Sequence, residues 1–360
     1  MNPFFPEIKK NFGFGCMRFP MNGDLVDIPA TQQMVDTFLA RGFNYFDTAH
    51  GYISGQSETV LKETLTSRYP RESYILTNKL SGNFFEKEED IRPLFEDQLE
   101  KCGVEYFDFY LMHALNAKSH QRYLDLHCYD IAQQLKAEGK IRHMGISFHD
   151  KAEVLDKILT DRPDIEVVQI QFNYIDFDDH KVESRKCHEV CRKHGKPVIV
   201  MEPVKGGRLV NLPDQAKALM TGGSPASYAI RFAASFEGMM MVLSGMSDME
   251  QMEDNLSYME NFQPLNQAEM ETINQVRVIY QGLNRIPCTG CRYCTDGCPA
   301  NIDIPGLFSC VNESGEPDKD YVNFPAKASA CVECGQCESI CPQNLQIRAL
   351  LKGIADRFGE

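Results

Sequence analysis

One repeating pattern organises most of this 360-residue chain. Between about residues 12 and 246, short runs rich in β-branched and aromatic residues alternate with amphipathic helical stretches, as in consecutive βα units. The pattern predicts eight strands, at residues 12–16, 44–47, 74–79, 107–113, 143–147, 167–173, 197–202 and 239–244. Eight strand-then-helix repeats favour a closed (β/α)8 barrel, the TIM barrel, over an open doubly wound sheet.

The helical stretches between these strands carry their own end signals. Helices are predicted at residues 31–41, 89–102, 129–138 and 225–236, and a glycine stands at or soon after the end of each of them. No G-x-G-x-x-G motif follows an early strand. That absence counts against a Rossmann-type dinucleotide domain.

Length and charge limit the remaining possibilities. The chain is long for a single core but suits a barrel of about 250 residues plus a small second module. The net charge of -14, from 37 basic and 51 acidic residues, argues against a nucleic-acid partner. No apolar run approaches the roughly 18 residues that span a bilayer, and residues 1–7 lack the features of a signal peptide. We therefore expect a cytoplasmic protein with no membrane partner.

Four ionisable residues lie at or just after the predicted ends of three strands. Asp47 closes the second strand, Tyr52 lies five residues later, Lys79 closes the third strand and His113 the fourth. An isolated D-x-x-x-x-Y is well explained by a turn-capping Asp and a Tyr that packs on the rim. Active sites of parallel barrels lie at the C-terminal ends of the strands. Four such groups at one barrel mouth are hard to explain by packing, so we predict an active site there.

Over residues 10–260 the sequence resembles the aldo-keto reductase family. The resemblance rests on the motifs F-D-T-A-H-G-Y at residues 46–52, N-K at 78–79, M-H at 112–113, G-I-S at 145–147 and Q-I-Q-F at 169–172. It implies an oxidoreductase that interconverts a small-molecule carbonyl and an alcohol. It also implies a catalytic tetrad, made of Asp47, Tyr52, Lys79 and His113.

The tetrad can be understood from acid–base chemistry. A phenol has an ordinary pKa of about 10, so a nearby ammonium is needed to favour the phenolate and ease proton donation. Lys79 would supply that charge, and Asp47 would keep Lys79 charged and oriented. His113 would donate a hydrogen bond to the substrate oxygen as negative charge develops there. By the resemblance, a nicotinamide passes hydride to the carbonyl carbon and Tyr52 protonates the oxygen.

The resemblance also implies residues that contact the nicotinamide cofactor: Ser147, Gln169, Met201, Gly206, Gly207, Leu209, Gln251 and Asn255. The glycines and Leu209 belong to a predicted pyrophosphate loop at residues 203–209. Phe148 stands where many members have Asn, and Met201 where many stack a Tyr. Gln251 and Gly245 replace the Arg and Lys of NADP-preferring members. An amide cannot replace the guanidinium fork that grips a 2′-phosphate, so we expect the cofactor to be NAD(H) rather than NADP(H).

Two cysteine runs follow the barrel. They read C-x2-C-x2-C-x3-C-P and begin at Cys288 and Cys331. Zinc, the alternative, would use two separated C-x-x-C knuckles, whereas this spacing suits a four-iron cube with a remote fourth ligand. The module resembles two-cluster bacterial ferredoxins, which implies two [4Fe-4S] clusters. Their implied ligand sets are Cys288, Cys291, Cys294 and Cys341 for one cluster, and Cys331, Cys334, Cys337 and Cys298 for the other.

These features predict two domains, a barrel at residues 1–283 and a small iron-sulfur domain, with helices such as 304–312, at residues 284–360. Of the other six cysteines, Cys187 and Cys191 lie one helical turn apart beside His188 and His194. A metal site there is conceivable, but helix-borne thiols without function are commoner. The remaining four, Cys16, Cys102, Cys128 and Cys310, are most simply buried apolar residues.

The fused module leaves the electron source open. Nicotinamide moves two electrons as hydride and a cluster normally moves one, so the two need an intermediary such as a flavin, for which no site is evident. The leading hypothesis is an aldo-keto reductase with an electron-transfer module. In one alternative, a ferredoxin-linked reductase, the clusters replace nicotinamide as electron source. In another they are only a structural or docking module. An external ferredoxin- or flavodoxin-type carrier is a candidate partner.

Overall fold

The computed structural model describes residues 4–283, 285–313 and 317–360. Eight parallel strands close into a barrel in the order β1-β10-β9-β8-β7-β6-β5-β4. They are β1 Phe12–Gly15, β4 Tyr45–Asp47, β5 Ile75–Leu80, β6 Phe107–Leu115, β7 Ile141–Phe148, β8 Val167–Gln171, β9 Val198–Met201 and β10 Met239–Ser244. The short strands β2 Met21–Asn22 and β3 Leu25–Val26 pair with each other. The predicted eight-stranded barrel is confirmed.

Helices alternate with the strands of the barrel and continue into the cysteine-rich stretch. In the barrel region they are α1 Ile28–Ala40, α2 Gln56–Leu61, α3 Ile91–Cys102, α4 Ala117–Asp125, α5 Cys128–Ala137, α6 Ala152–Asp161, α7 Ser184–Lys193, α8 Asp214–Lys217, α9 Pro225–Ala234 and α10 Met249–Met259. Beyond these lie α11 Gln267–Gln281, α12 Ile304–Glu313, α13 Pro317–Tyr321, α14 Gln336–Ser339 and α15 Ile347–Phe358.

Local chemistry explains where these elements begin and end. Asp27 caps α1 by accepting a hydrogen bond from the Ala30 amide, and Ser224 caps α9, which starts with Pro225. Strand β8 ends at Gln171, earlier than predicted. Beyond it, the Asn173 side chain accepts hydrogen bonds from the next backbone amides and so forms a turn.

The barrel interior is filled by large apolar side chains. Tyr45, Phe109, Leu111 and Val167 belong to one buried cluster, to which β4, β6 and β8 contribute these four residues. Gly145 lies among them, and a Cβ on it would stand 2.5 Å from Val167 Cγ1. Only glycine permits this approach of β7 to β8, which keeps the strand ends in register.

Strand register brings the predicted catalytic positions to one edge of the barrel. Asp47 of β4 is paired with Thr77 of β5, and Lys79 of β5 is paired with Leu111 of β6. Because all eight strands run parallel, their C-terminal ends lie at the same end of the barrel.

The described residues form two compact units. One comprises the residues up to Val204 together with Met220–Ile273, and the other comprises Lys205–Leu219 with the described part of Asn274–Glu360. The second unit has its own core, which includes Leu307, Phe308 and Leu351.

Some sequence-based predictions concern residues outside the described part of the chain. The predicted domain boundary after Leu283 stays a prediction, and Asn284, the first residue beyond it, lies outside the described residues. Residues 1–3, which belong to the stretch searched for a signal peptide, also lie outside them. Within the described ranges, no helix has the length and apolar character needed to cross a membrane.

Candidate active site and cysteine cavities

A buried ion pair lies at the C-terminal end of the barrel strands. The Lys79 ammonium donates hydrogen bonds to Asp47 Oδ1 at 2.5 Å and to the Thr48 carbonyl at 2.7 Å, and its side chain has no solvent exposure. Gln169 donates to the other carboxylate oxygen at 3.3 Å. Burial raises the pKa of Asp47, and the contacts with Lys79 and Gln169 oppose that shift. The Lys79 ammonium and the Asp47 carboxylate therefore stabilise each other's charge in the protein interior.

The other two tetrad residues lie beside this pair. The Lys79 Nζ atom is 4.8 Å from the centroid of the Tyr52 ring, and the Tyr52 and His113 rings have centroids 6.1 Å apart. Tyr52 is held in the loop after β4 by a hydrogen bond from its amide to the Ala49 carbonyl. The structure thus brings together all four residues predicted to be catalytic.

His113 is oriented by a residue that the sequence analysis missed. Its Nδ1 lies 2.6 Å from the Ser81 hydroxyl, two residues beyond Lys79. Burial lowers the pKa of His113 well below its ordinary value, and the charges of Lys79 and His149 add to that shift. The imidazole is therefore neutral near pH 7. If the Ser81 hydroxyl donates to Nδ1, the remaining N–H is on Nε2.

His149 is the second residue that the sequence analysis missed. It directly follows β7, and its backbone amide donates to the Leu115 carbonyl at 2.8 Å. Burial, and then Lys79, lower the pKa of His149 to about 4. Its buried Nδ1 has no hydrogen-bond partner among the described residues. Its position two residues after Ser147 was the available signal, because polar residues just beyond parallel strands face the same mouth.

Two of the predicted nicotinamide contacts lie next to the tetrad. Ser147 and Gln169 are paired in register on β7 and β8. Gln169 contacts Asp47, while the Ser147 hydroxyl accepts a hydrogen bond from the Ala114 amide at 2.9 Å. Met201 is the last residue of β9 and is half-buried. These positions place an amide and a hydroxyl close to the buried pair.

The predicted adenosine contacts lie in the first turns of α10. Gln251 donates from Nε2 to Asp248 at 2.7 Å and accepts at Oε1 from the Ser247 amide at 3.0 Å. Asn255 donates to the Ser244 hydroxyl at 3.0 Å and accepts from Tyr258. The capping Asp248 adds a carboxylate beside Gln251. A carboxylate at this point disfavours a neighbouring 2′-phosphate, because both are negative.

The predicted pyrophosphate residues of the 205–209 loop lie in the second compact unit. Gly206 and Gly207 have φ angles of +61° and +89°, and Leu209 is fully buried. A Cβ on Gly206 would stand 2.2 Å from the carbonyl oxygen of Thr289. This loop therefore lies against the residue that follows the first cysteine of the C-terminal module.

The eight motif cysteines line two cavities of the second unit. One cavity is lined by Cys288, Cys291, Cys294 and Cys341, among other residues. The other is lined by Cys298, Cys331, Cys334 and Cys337, among others. These are the two predicted ligand sets, each with a remote fourth cysteine. Four thiols around a cavity are a donor set that fits an iron-sulfur cube.

The cysteine and histidine pairs of α7 lie elsewhere and have other partners. His188 bonds the Glu237 carbonyl at 2.8 Å, and His194 bonds Asp156 at 2.6 Å. Throughout the described ranges, no group of three or more His, Cys, Asp or Glu side chains is arranged to hold a single metal ion.

Comparison with protein families agrees with this geometry. Residues 11–278, well over half of the chain, match the model of the aldo/keto reductase family. The chain belongs to the aldo/keto reductase family. Residues 287–345 match the model of a 4Fe-4S dicluster domain, so this aldo-keto reductase carries a fused iron-sulfur domain.

Individual relatives of this aldo-keto reductase are distant. It is 26% identical over 208 residues to the NADH-specific methylglyoxal reductase of Escherichia coli K12, a match covering 52% of this chain and 60% of that protein, less than two thirds. It is 24% identical to the L-galactose dehydrogenase of Arabidopsis thaliana over 68% of this chain and 82% of that one. The holo form of an aldo-keto reductase from Bacillus halodurans superposes with a TM-score of 0.62 at 25% identity, covering 74% of this chain and 91% of that chain.

The lowered pKa values of His113 and His149 predict how the stability of this aldo-keto reductase depends on pH. The pKa values of His113 and His149 are lowered on folding, so between their folded pKa values and about 6.5 the unfolded chain binds more protons. Stability is therefore expected to fall as the pH is lowered from 7 to 5. His149→Asn should reduce this fall. The urea concentration at the unfolding midpoint, measured anaerobically by circular dichroism at several pH values, tests this prediction. Identical pH profiles of the variant and the wild type would contradict the role given to His149.

Proposed function

We propose that this aldo-keto reductase interconverts a small-molecule carbonyl and the corresponding alcohol at the site formed by Asp47, Tyr52, Lys79 and His113. The observation that carries the proposal is the fully buried Lys79–Asp47 pair with the Tyr52 ring 4.8 Å from the ammonium. A buried ion pair is costly to maintain, and here it stands beside a phenol at the end of the barrel where active sites form.

In the reductive direction, the carbonyl carbon gains a hydride and the oxygen gains a proton, which together give the alcohol. Tyr52 gives that proton from its hydroxyl. The Lys79 charge stabilises the phenolate that remains, and Asp47 keeps the ammonium charged and in place. In the oxidative direction the Tyr52 phenolate takes the proton from the alcohol.

His113 stabilises the substrate oxygen. Since the imidazole is half-buried and neutral, it adds no second positive charge beside Lys79. With Nδ1 held by Ser81, the Nε2–H is available to donate to an oxygen that becomes negative in the transition state. Ser81 is then the residue that sets the orientation and tautomer of this donor.

For the hydride we propose NAD(H), bound beside Ser147 and Gln169. When bound, a nicotinamide supplies or accepts the hydride. Support comes from the relative named as an NADH-specific reductase and from the Gln251–Asp248 contact, where a 2′-phosphate would meet a carboxylate. Dependence on a nicotinamide cofactor is typical of the family.

For the cysteine cavities we propose two [4Fe-4S] clusters, one in each. When bound, each cluster exchanges single electrons. The eight cysteines would act as thiolate ligands, and an external ferredoxin- or flavodoxin-type carrier would be the partner of this domain.

A second candidate function is a ferredoxin-linked reductase, in which the clusters are the electron source and nicotinamide is not used. The close approach of Gly206 to the Thr289 carbonyl favours this second function. The loop that contains Gly206 is the one predicted to hold the pyrophosphate of a nicotinamide cofactor, and here it contacts Thr289 instead. Anaerobic turnover of one carbonyl panel with NADH, and separately with reduced ferredoxin, distinguishes the two functions. Turnover with ferredoxin alone would reject the NAD(H) assignment.

Tyr52→Phe should lower carbonyl turnover at least about 100-fold, because it removes the proton donor and nothing else. Iron content and cluster absorbance should stay unchanged. Tyr69→Phe is the control, since Tyr69 bonds Asp36 on an outer helix and has no part in the proposed chemistry. Retained turnover in the Tyr52 variant would reject Tyr52 as the donor.

If a nicotinamide cofactor binds, NADH is expected to bind at least as tightly as NADPH. Gln251→Arg should shift the preference toward NADPH, because a guanidinium adds the fork that grips a phosphate. Fluorescence titration of both nucleotides against wild type and variant measures this. A clear NADPH preference in the wild type would contradict the assignment.

Anaerobically purified protein is expected to contain eight irons per chain, since two complete sets of four cysteines line two cavities. Iron and acid-labile sulfide assays measure the content. Stoichiometric zinc with almost no iron would contradict the proposal.

A further inference from the structure

We propose that the 205–209 loop is a clamp for the segment that carries the first cysteine of the module, Cys288. The loop follows β9 in the chain, and the resemblance assigned it to a cofactor pyrophosphate. In the structure it belongs to the same compact unit as the cysteine cavities. The proposal rests on the cluster content proposed above and goes beyond it by assigning the loop a task.

The first contact of the clamp is backbone against backbone. A Cβ on Gly206 would stand 2.2 Å from the oxygen, 2.8 Å from the carbonyl carbon and 2.9 Å from the Cα of Thr289. None of these atoms is the flexible end of a side chain, so no rotamer change relieves the clash. The positive φ of Gly206, +61°, adds a second requirement for glycine. Any side chain at residue 206 must therefore displace Thr289 or the loop.

The second contact is a charge-assisted hydrogen bond. Arg208 donates from Nε to the backbone carbonyl of Cys288, and both residues are more than nine-tenths buried. That carbonyl belongs to the residue whose thiol lines the first cavity. Holding it fixes the backbone from which the Cys288 sulfur projects. The Gly290 amide in turn donates to that sulfur at 3.4 Å.

The loop also brings positive charge to this segment. Lys205 is 2% exposed and Arg208 is 8% exposed, so both cations are poorly screened by solvent. Nearby positive charge favours the more negative, reduced state of a cluster. The clamp is thus expected to influence both the assembly and the reduction potential of the first cluster.

Neither cavity is lined by the loop itself, but the first is lined by Cys288 and Thr289, which the loop contacts, and the second by neither of them. The lining of the second cavity comes from residues 297–304 and 331–351. The nearby Arg348 donates two hydrogen bonds to Glu338, so its charge is largely balanced. Changes in the clamp should therefore act on one cluster and spare the other.

The test compares Gly206→Ala with Gly207→Ala in the full-length, anaerobically purified protein. Both glycines have positive φ, +61° and +89°, so both substitutions strain the backbone. Only the Gly206 Cβ meets another residue, because nothing lies within 4 Å of a Cβ on Gly207. Gly206→Ala is expected to halve the iron content, from about eight to about four, and to remove one of two electron paramagnetic resonance signals. Gly207→Ala should keep both.

A second pair of variants covers the case in which Gly206→Ala fails to fold. Arg208→Gln should shift the midpoint potential of one cluster to a more negative value, or lower its occupancy, while the other cluster is unchanged. Lys217→Gln, an exposed cation in the same segment, should change neither. Redox titration followed by electron paramagnetic resonance measures the potentials.

The outcomes separate the clamp from the cluster content. Eight irons in both glycine variants together with unchanged potentials and iron in Arg208→Gln overturn the clamp and leave the two clusters standing. If Gly206→Ala does not fold, unchanged potentials and iron in Arg208→Gln overturn the clamp on their own. A wild-type protein without iron overturns the cluster content and the clamp together. Loss confined to one cluster in Gly206→Ala or Arg208→Gln, with both glycine and lysine controls intact, supports the clamp.

Discussion

The ion pair between Lys79 and Asp47 is the interaction on which the candidate active site depends. Leaving one member of such a buried pair without the other typically costs about 3–5 kcal/mol, because an uncompensated charge remains in the interior. The pair forms because β4 and β5 are adjacent and in register. The ammonium lies near the Tyr52 ring, and its charge adds to the effect of burial, which is the main reason that the pKa of His113 is lowered.

The sequence was sufficient to predict the barrel, and to predict that four ionisable residues lie at its mouth, for a physical reason. Strands covered on both faces are almost wholly apolar, so each stands out as a run that ends where a polar residue first appears. Asp47 is such a residue, Lys79 follows Thr77 and Asn78 near the end of β5, and parallel topology places Asp47 and Lys79 together. Ser81 and His149 were missed because they lie just past the strand ends, where no periodicity marks which loop residues turn inward.

The contacts of the 205–209 loop, in contrast, could not be predicted from the sequence. Two consecutive glycines indicate that something approaches the backbone closely, but the sequence does not show what it is. In this structure the neighbour of Gly206 is Thr289, which lies more than eighty positions later in the chain. Local propensity and spacing carry no information about a contact at that separation. For the same reason the extent of the second compact unit, which includes Lys205–Leu219, was not foreseen from composition.

The inclusion of Lys205–Leu219 in the second compact unit has a consequence for how the protein is made. This segment leaves the ribosome well before Cys288 and Thr289 do. At about 5–20 residues per second, roughly four to sixteen seconds separate the two events. During that interval the buried partners of Gly206 and Arg208 do not yet exist. The 205–209 loop therefore cannot make its contacts with Cys288 and Thr289 until those residues have been synthesised.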